Sequence, residues 1–182
     1  MPADPPQLSI ERVVLLGFMA AGKTETGAAL ARRLGWAHLD LDREIERRAG
    51  RTVAAIFASE GEARFREMET EATREAALRT RVILSPGGGW IERAENLAAL
   101  GPGTLSVWLQ VSPEEAVRRA AATPGERPLL AGADPLAAAR RLLARRAPLY
   151  ECAGLRVRTE GRTPDEVAAV IEREMRARGG PA

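Results

Sequence analysis

Residues 17–24 read Gly-Phe-Met-Ala-Ala-Gly-Lys-Thr, directly after the apolar run Val13, Val14, Leu15, Leu16. This is the pattern G-x-x-x-x-G-K-[ST], in the strand-before, helix-after context that polyphosphate binding requires. Glycine lets backbone N–H groups turn inward around an anion, and the following helix aims its positive end at the same place. Lys23 is then expected to reach the outer phosphates, and the Thr24 hydroxyl to ligate the Mg²⁺ that travels with a nucleotide. A Gly-rich turn that merely joins strand to helix is the plain alternative. Against it, Lys23 is the only lysine among 27 basic side chains. A chain that otherwise uses arginine has kept a compact point charge where phosphate would sit.

Three further groups follow candidate strand ends. Asp40 and Asp42 close the stretch Trp-Ala-His-Leu-Asp-Leu-Asp at 36–42, expected as a strand. On a strand they share parity and project to one side, so one carboxylate can face the metal while the other accepts from a hydroxyl nucleophile. The alternative is helix capping by Asp42 ahead of Arg43, Glu44 and Ile45, which explains one carboxylate only. Gly87, Gly88 and Gly89 form the second group, where bare backbone invites close ligand contact at an entropic cost. The third is a set of arginines, Arg66, Arg127 and Arg146, suited to planar carboxylate and phosphate groups. Together these residues predict a small, polyhydroxylated, anionic acceptor. His38, the only histidine, reads as a strand residue at the sheet margin.

Several elements must position these residues. Unalternating apolar runs at 13–16 and 81–85, with 36–42 and 104–111, predict strands buried in a parallel sheet. A last short strand is expected at 154–159. Helices are predicted at 23–34, 44–49, 53–58, 59–79 and 91–100. Three more follow capping residues Ser112, Asp134 and Thr163. The order implies an α/β fold with helices on both faces of the sheet and ligands at the carboxyl ends of the strands. Residues 1–9 read as a flexible arm, 10–178 as one domain and 179–182 as a flexible tail. A mobile lid is expected at about 120–133, where Thr123, Pro124, Gly125, Pro128 and Gly132 surround Arg127.

The 182 residues fit one domain, and 45% hydrophobic content is ordinary for a packed core. A net charge of +2, with no basic stretch interleaved with aromatics, argues against a nucleic-acid binder. The single cysteine, Cys152, cannot form an internal disulfide and suits a reducing compartment. The acidic, proline-rich start is no signal peptide, and no apolar run approaches the roughly 20 residues of a membrane span. A cytoplasmic monomer without membrane contact is the expectation.

The order and spacing of these pieces resemble the shikimate kinases, within the nucleoside-monophosphate-kinase branch of the phosphate-loop fold. The resemblance runs from about Val13 to the final helix through GFMAAGKT, HLDLD, IFASEGEARFREME, PGGG, ERPLL and RRAPLY. It implies a five-stranded parallel sheet and phosphoryl transfer from MgATP to the 3-hydroxyl of shikimate, a step towards chorismate and the aromatic amino acids. By the same resemblance, Thr24 and Asp40 would serve Mg²⁺, and Asp42 would hold the shikimate hydroxyls and act as the candidate base. Arg66 and Arg146 would grip the shikimate carboxylate, with Glu69 orienting Arg66, while Gly87, Gly88 and Gly89 would contact the ring hydroxyls. Phe57 and Phe65 would wall the pocket. Gly17, Ala20, Ala21, Gly22, Lys23, Thr24 and Glu25 would surround the ATP phosphates, Arg127 would cover the transferring group, and Arg162 and Pro164 would bracket adenine.

The chain also departs from the family pattern. Glu25 stands where a hydroxyl residue is common, Ala20 where many relatives have glycine, and Pro86 where a smaller or hydroxyl residue is usual. The arginine expected to stack on adenine falls at Ala120, with Arg119 one residue away. A gluconate- or nucleoside-monophosphate-kinase-like enzyme and a catalytically silent nucleotide-binding homologue are the rival readings. A GTPase-type switch needs Asn-Lys-x-Asp, which a chain whose only lysine is Lys23 does not contain.

Overall fold

Unalternating hydrophobicity in the first strand has a direct structural cause. Val13 and Leu15 point into one core, with Leu30, Val107, Val167 and Ile171. Val14 and Leu16 point into the other, with Leu41, Ile56, Phe65 and Trp90. A strand covered by helices on both faces has no solvent side to leave polar. The computed structural model describes residues 9–122 and 134–179. Outside them lie most of the expected arm and tail, and residues 123–133 of the expected lid with Arg127.

The elements run β1 Arg12–Leu16, α1 Lys23–Leu34, β2 Ala37–Asp40, α2 Leu41–Ala49, α3 Val53–Ala77 and β3 Val82–Ser85. After a 3₁₀ turn at Trp90–Glu92 come α4 Ala94–Leu100, β4 Thr104–Gln110, α5 Pro113–Ala122, α6 Pro135–Tyr150, β5 Leu155–Arg158 and α7 Pro164–Ala177. The five strands are parallel in the order β2-β3-β1-β4-β5. The chain leaves β1 in one direction for β2 and β3, and β4 and β5 lie on its other side. That reversal of strand order opens a crevice beyond the end of β1, where ligands of such sheets bind.

Local chemistry explains the ends of the helices. Thr163 and Glu166 form a reciprocal capping box at the start of α7. Asp134 accepts from the Ala137 N–H at 2.9 Å to open α6. Between α1 and α7, Arg33 Nε donates to Glu172 Oε2 at 2.6 Å.

Five expectations are corrected. The second strand stops at Asp40, because Leu41 is fully buried as the first residue of α2. Asp40, not Asp42, is the N-cap, accepting from the Arg43 N–H at 3.2 Å. Strand parity therefore does not relate the two carboxylates. The helix break expected after 58 falls at Gly61, whose φ of 80° and ψ of 172° interrupt α3. Residues 91–100 divide into the 3₁₀ turn and α4, and residues 120–122, expected in the lid, are the last turn of α5.

Candidate active site

Beyond the ends of β1, β2 and β3 lies an open cleft of about 1940 Å³. Pockets for one small ligand typically take roughly 300–1,000 Å³, so there is room for a nucleotide and a second substrate together. Of the described residues expected in the site, all but Gly17 and Glu69 line this cleft.

The phosphate end is built by the turn after β1. Gly22, at φ 89°, is the N-cap of α1 and has no side chain to cap it. First-turn N–H groups of α1 therefore remain for an anion. Lys23 Nζ donates to the carbonyl oxygens of Gly17 at 2.9 Å and Phe18 at 3.0 Å, folding back over the loop. Ala20 sits at φ 57° in the left-handed region. That geometry explains why glycine is the easier residue there, since an L side chain costs about 1–2 kcal/mol in this conformation. Ala21 is buried beneath the loop, and Glu25 is exposed in the first turn of α1.

Thr24 Oγ1 donates to Asp40 Oδ2 at 2.7 Å, so hydroxyl and carboxylate meet at the cleft floor. Ser85, level with Asp40 in the β2–β3 register, donates to the Lys23 carbonyl at 3.0 Å and contacts His38 Nε2 at 2.9 Å. His38 is thereby tied to the sheet margin as expected, and its pKa is lowered by burial, against the raising effect of nearby Asp40.

The opposite end of the cleft gathers around the triple glycine. A Cβ at Gly89 would overlap the Arg66 guanidinium and lie 3.0 Å from Arg146 Nη2. A Cβ at Gly87 would lie 3.2 Å from Asp42 Oδ1 and 3.3 Å from Glu69 Oε1. None of the three glycines has a positive φ; what they provide is room. Arg66 Nη1 donates to Glu69 Oε2 at 2.6 Å, while Nε and Nη2 donate to Glu62 Oε1 at 3.2 and 2.9 Å. Arg146, almost wholly buried, donates through Nε to Glu92 Oε1 at 2.6 Å. Both arginines thus turn amino groups towards Gly89 from opposite helices, α3 and α6. Phe65 is buried against Phe57 with ring centroids 4.9 Å apart, and the Arg66 guanidinium lies 5.5 Å from the Phe65 ring centre.

Two carboxylate oxygens are buried here without a hydrogen-bond donor among the described residues, Asp42 Oδ1 and Glu69 Oε1. Burial pushes the Asp42 carboxyl up to about 6, with Asp40 adding to the shift and Lys23 and Arg66 opposing it. Burial pushes Glu69 up to about 7 despite the attraction of Arg66. Unpartnered buried acceptors are costly, and their position beside Gly87 suits a ligand that brings hydroxyl donors.

At the far end, Arg119 donates to the carbonyl of Ala20 at 3.3 Å, to Thr159 Oγ1 at 3.1 Å and to the Thr159 carbonyl at 3.0 Å. It links the crest of the phosphate loop to the segment after β5, where Arg162 and Pro164 line the cleft. Ala120 lies on the same helix, α5.

Sequence reasoning missed Glu62, Glu92, Thr159 and Tyr150, whose hydroxyl donates to the Gly88 carbonyl at 2.7 Å. Glu62 precedes Arg66 by one helical turn, a spacing that signals a pair. Nothing in the sequence singles out Glu92.

The shikimate kinase family model matches residues 19–176. A shikimate kinase from Moorella thermoacetica is 43% identical over 165 residues, covering 91% of this chain and 94% of its own. One from Thermus thermophilus is 45% identical over 164 residues, covering 90% and 89%. Among solved structures, the shikimate kinase from Acinetobacter baumannii in complex with shikimate superposes with a TM-score of 0.86 at 36% identity. That match covers 93% of this chain and 95% of that one. This chain belongs to the shikimate kinase family.

Proposed function

We propose that the chain transfers the γ-phosphoryl group of ATP to the 3-hydroxyl of shikimate, giving shikimate 3-phosphate and ADP. One observation carries this reading: the amino groups of Arg66 and Arg146 converge on Gly89, beside Asp42 and one strand away from the phosphate loop. Two guanidinium groups at that point suit a small carboxylate. Asp42 Oδ1, which has no donor among the described residues, suits a hydroxyl, and the solved relative in complex with shikimate supports the same acceptor.

The residues have distinct proposed roles. Lys23 and the N–H groups from Gly17 through Glu25 would hold the triphosphate. Asp42 would anchor the ring hydroxyls and accept the proton of the attacking one, and Arg66 and Arg146 would fix the carboxylate. Gly87, Gly88 and Gly89 would let the ring lie against backbone, with Phe57 and Phe65 as its apolar wall. Arg119, Arg162 and Pro164 would frame the adenine end. Arg127, from its place in the sequence, would neutralise charge on the group in flight. Phosphoryl transfer passes through a loose transition state, so positioning and charge neutralisation matter more than a strong base.

Thr24 and Asp40 are an oxygen donor pair that fits Mg²⁺, a hard cation that keeps several waters and binds substrate phosphates instead of a full protein cage. The paired atoms Thr24 Oγ1 and Asp40 Oδ2 would hold it directly and through water. The ion would screen the phosphate oxygens.

No helix among the described residues is long and apolar enough to cross a membrane. We read the protein as a cytoplasmic monomer with no nucleic-acid or membrane partner, as its charge and composition suggest; sedimentation of the purified chain near 19.6 kDa would support the monomer, and a dimer would contradict it. The activity is tested by ³¹P NMR of a reaction with ATP, Mg²⁺ and shikimate. A phosphomonoester resonance growing with ADP is the expected result, and ADP appearing with inorganic phosphate alone would contradict the reading.

A further inference from the structure

We propose that Glu92 is a positioning residue for the acceptor carboxylate, acting through Arg146; this rests on the functional reading above. Glu92 Oε1 receives two hydrogen bonds, from Arg146 Nε at 2.6 Å and from Arg145 Nη2 at 3.1 Å. A guanidinium presents one side edge and one end. Glu92 takes Nε on the side edge of Arg146. Its amino groups then lie against the triple glycine, 3.5 Å from the Cβ position of Gly88 and 3.0 Å from that of Gly89. The orientation of the anion-binding end is therefore fixed by what the side edge is bonded to.

Glu92 can act this way because its own backbone is held independently of its carboxylate. The 3₁₀ turn begins directly after Gly89, with the Trp90 N–H bonded to the Gly87 carbonyl at 3.1 Å and the Glu92 N–H to the Gly89 carbonyl at 3.0 Å. Fully buried Trp90 donates through Nε1 to Thr73 Oγ1 at 2.8 Å, and Asn96 Nδ2 donates to the Trp90 carbonyl at 3.1 Å. On the facing helix, the Tyr150 hydroxyl ties α6 to the Gly88 carbonyl. Removing the Glu92 carboxylate touches none of these bonds and takes from Arg145 and Arg146 the acceptor that they share.

The charge balance points the same way. Burial works to raise the Glu92 carboxyl, and the bonds from Arg146 and Arg145 outweigh it, holding the group ionised below its ordinary range. The side chain of Arg145 is 67% exposed and that of Arg146 only 5%. Of the two, Arg146 is the interior one; Glu92 holds its Nε there, and the Tyr150 hydroxyl lies against the same guanidinium. Glu92 thus keeps both guanidinium groups on one carboxylate and one of them aimed at the substrate.

Glu92→Ala and Glu92→Gln separate positioning from general stability. For Glu92→Ala, loss of a hydrogen bond to a charged group should raise the shikimate KM, and the calorimetric Kd without nucleotide, by about 10-fold or more. The kcat should stay within about threefold and the ATP KM unchanged, the pattern of lost uniform binding. Gln still offers an acceptor to Arg146 Nε, so Glu92→Gln should restore most of the affinity. A Glu92→Ala chain with shikimate affinity equal to or tighter than wild type, or with equal losses for ATP and shikimate, overturns the inference. So does a Glu92→Gln chain that fails as badly as Ala. A wild-type chain that neither binds nor phosphorylates shikimate overturns the functional reading, and this inference with it.

Discussion

Glu69 Oε2 accepts a 2.6 Å hydrogen bond from Arg66 Nη1 at a position with no exposed surface, while Glu69 Oε1 has no donor among the described residues. The ion pair orients the arginine, and the buried carboxylate bears a desolvation cost for it. Burial raises its carboxyl from 4.5 to about 7, so the folded chain binds this proton more tightly than the unfolded chain. The stabilisation is complete below about pH 4.5 and is lost as pH rises towards 7. Glu69→Gln removes the titration and keeps an acceptor for Arg66. Thermal scans without ligand should therefore show a smaller fall in Tm from pH 5 to 7.5 than in wild type. An identical fall would contradict the assignment.

Gly89→Ala tests the crowding at the proposed acceptor seat. The new Cβ would overlap the Arg66 guanidinium and press on Arg146 Nη2. Overpacking of this kind costs about 1–3 kcal/mol, and here it falls on the two arginines proposed to hold the substrate carboxylate. A shikimate KM raised about 5-fold to 100-fold, with the ATP KM little changed, is expected from steady-state kinetics. Unaltered shikimate kinetics would mean that the arginines need not approach Gly89.

Much of this was legible in the sequence because local rules and tertiary packing agree. The first helix begins at Lys23 and ends at Leu34, before Gly35, as read from the motif and its stop signal. Asp40 and Asp42 do share the cleft, but the reason read from the sequence was wrong. Alternation in Leu39-Asp40-Leu41-Asp42 reads as strand, yet burial of Leu41 and capping by Asp40 turn the chain into a helix one residue before the parity argument applies. Glu92 was illegible for a different reason. Its partners are 53 and 54 residues away, and only the return of α6 over the triple glycine brings them together. At Ala20 the sequence shows only a departure from the family pattern, and the φ of 57° gives its physical meaning, a backbone that glycine adopts more easily.

Glu25 places an exposed carboxylate in the first turn of α1, beside the loop that would hold phosphate. A charge within one turn of a helix N-terminus contributes about 0.3–1 kcal/mol; here its repulsion falls on the nucleotide. Glu25→Thr should tighten MgADP binding by about twofold to fivefold, read by calorimetry. Weaker binding would show that Glu25 assists the nucleotide.

Lys23 and Arg127 separate binding from chemistry. Lys23 Nζ folds onto the loop carbonyls, and Lys23→Ala should cut turnover by at least about 10²–10³-fold while circular dichroism stays unchanged. Arg127→Ala should depress kcat by about 10³-fold or more with much less effect on shikimate affinity. An Arg127→Ala effect confined to KM would remove its role on the transferring group.

In the proposed reading, the seat formed by Asp42, Gly89, Arg66 and Arg146 takes shikimate as phosphoryl acceptor. Its most direct test is initial ADP production with saturating MgATP and, in turn, shikimate, gluconate or a nucleoside monophosphate, each corrected for the Lys23→Ala protein. Sustained turnover with shikimate, and background rates with the other acceptors, is predicted. Background turnover with shikimate alongside rapid turnover of gluconate or a nucleotide would contradict it.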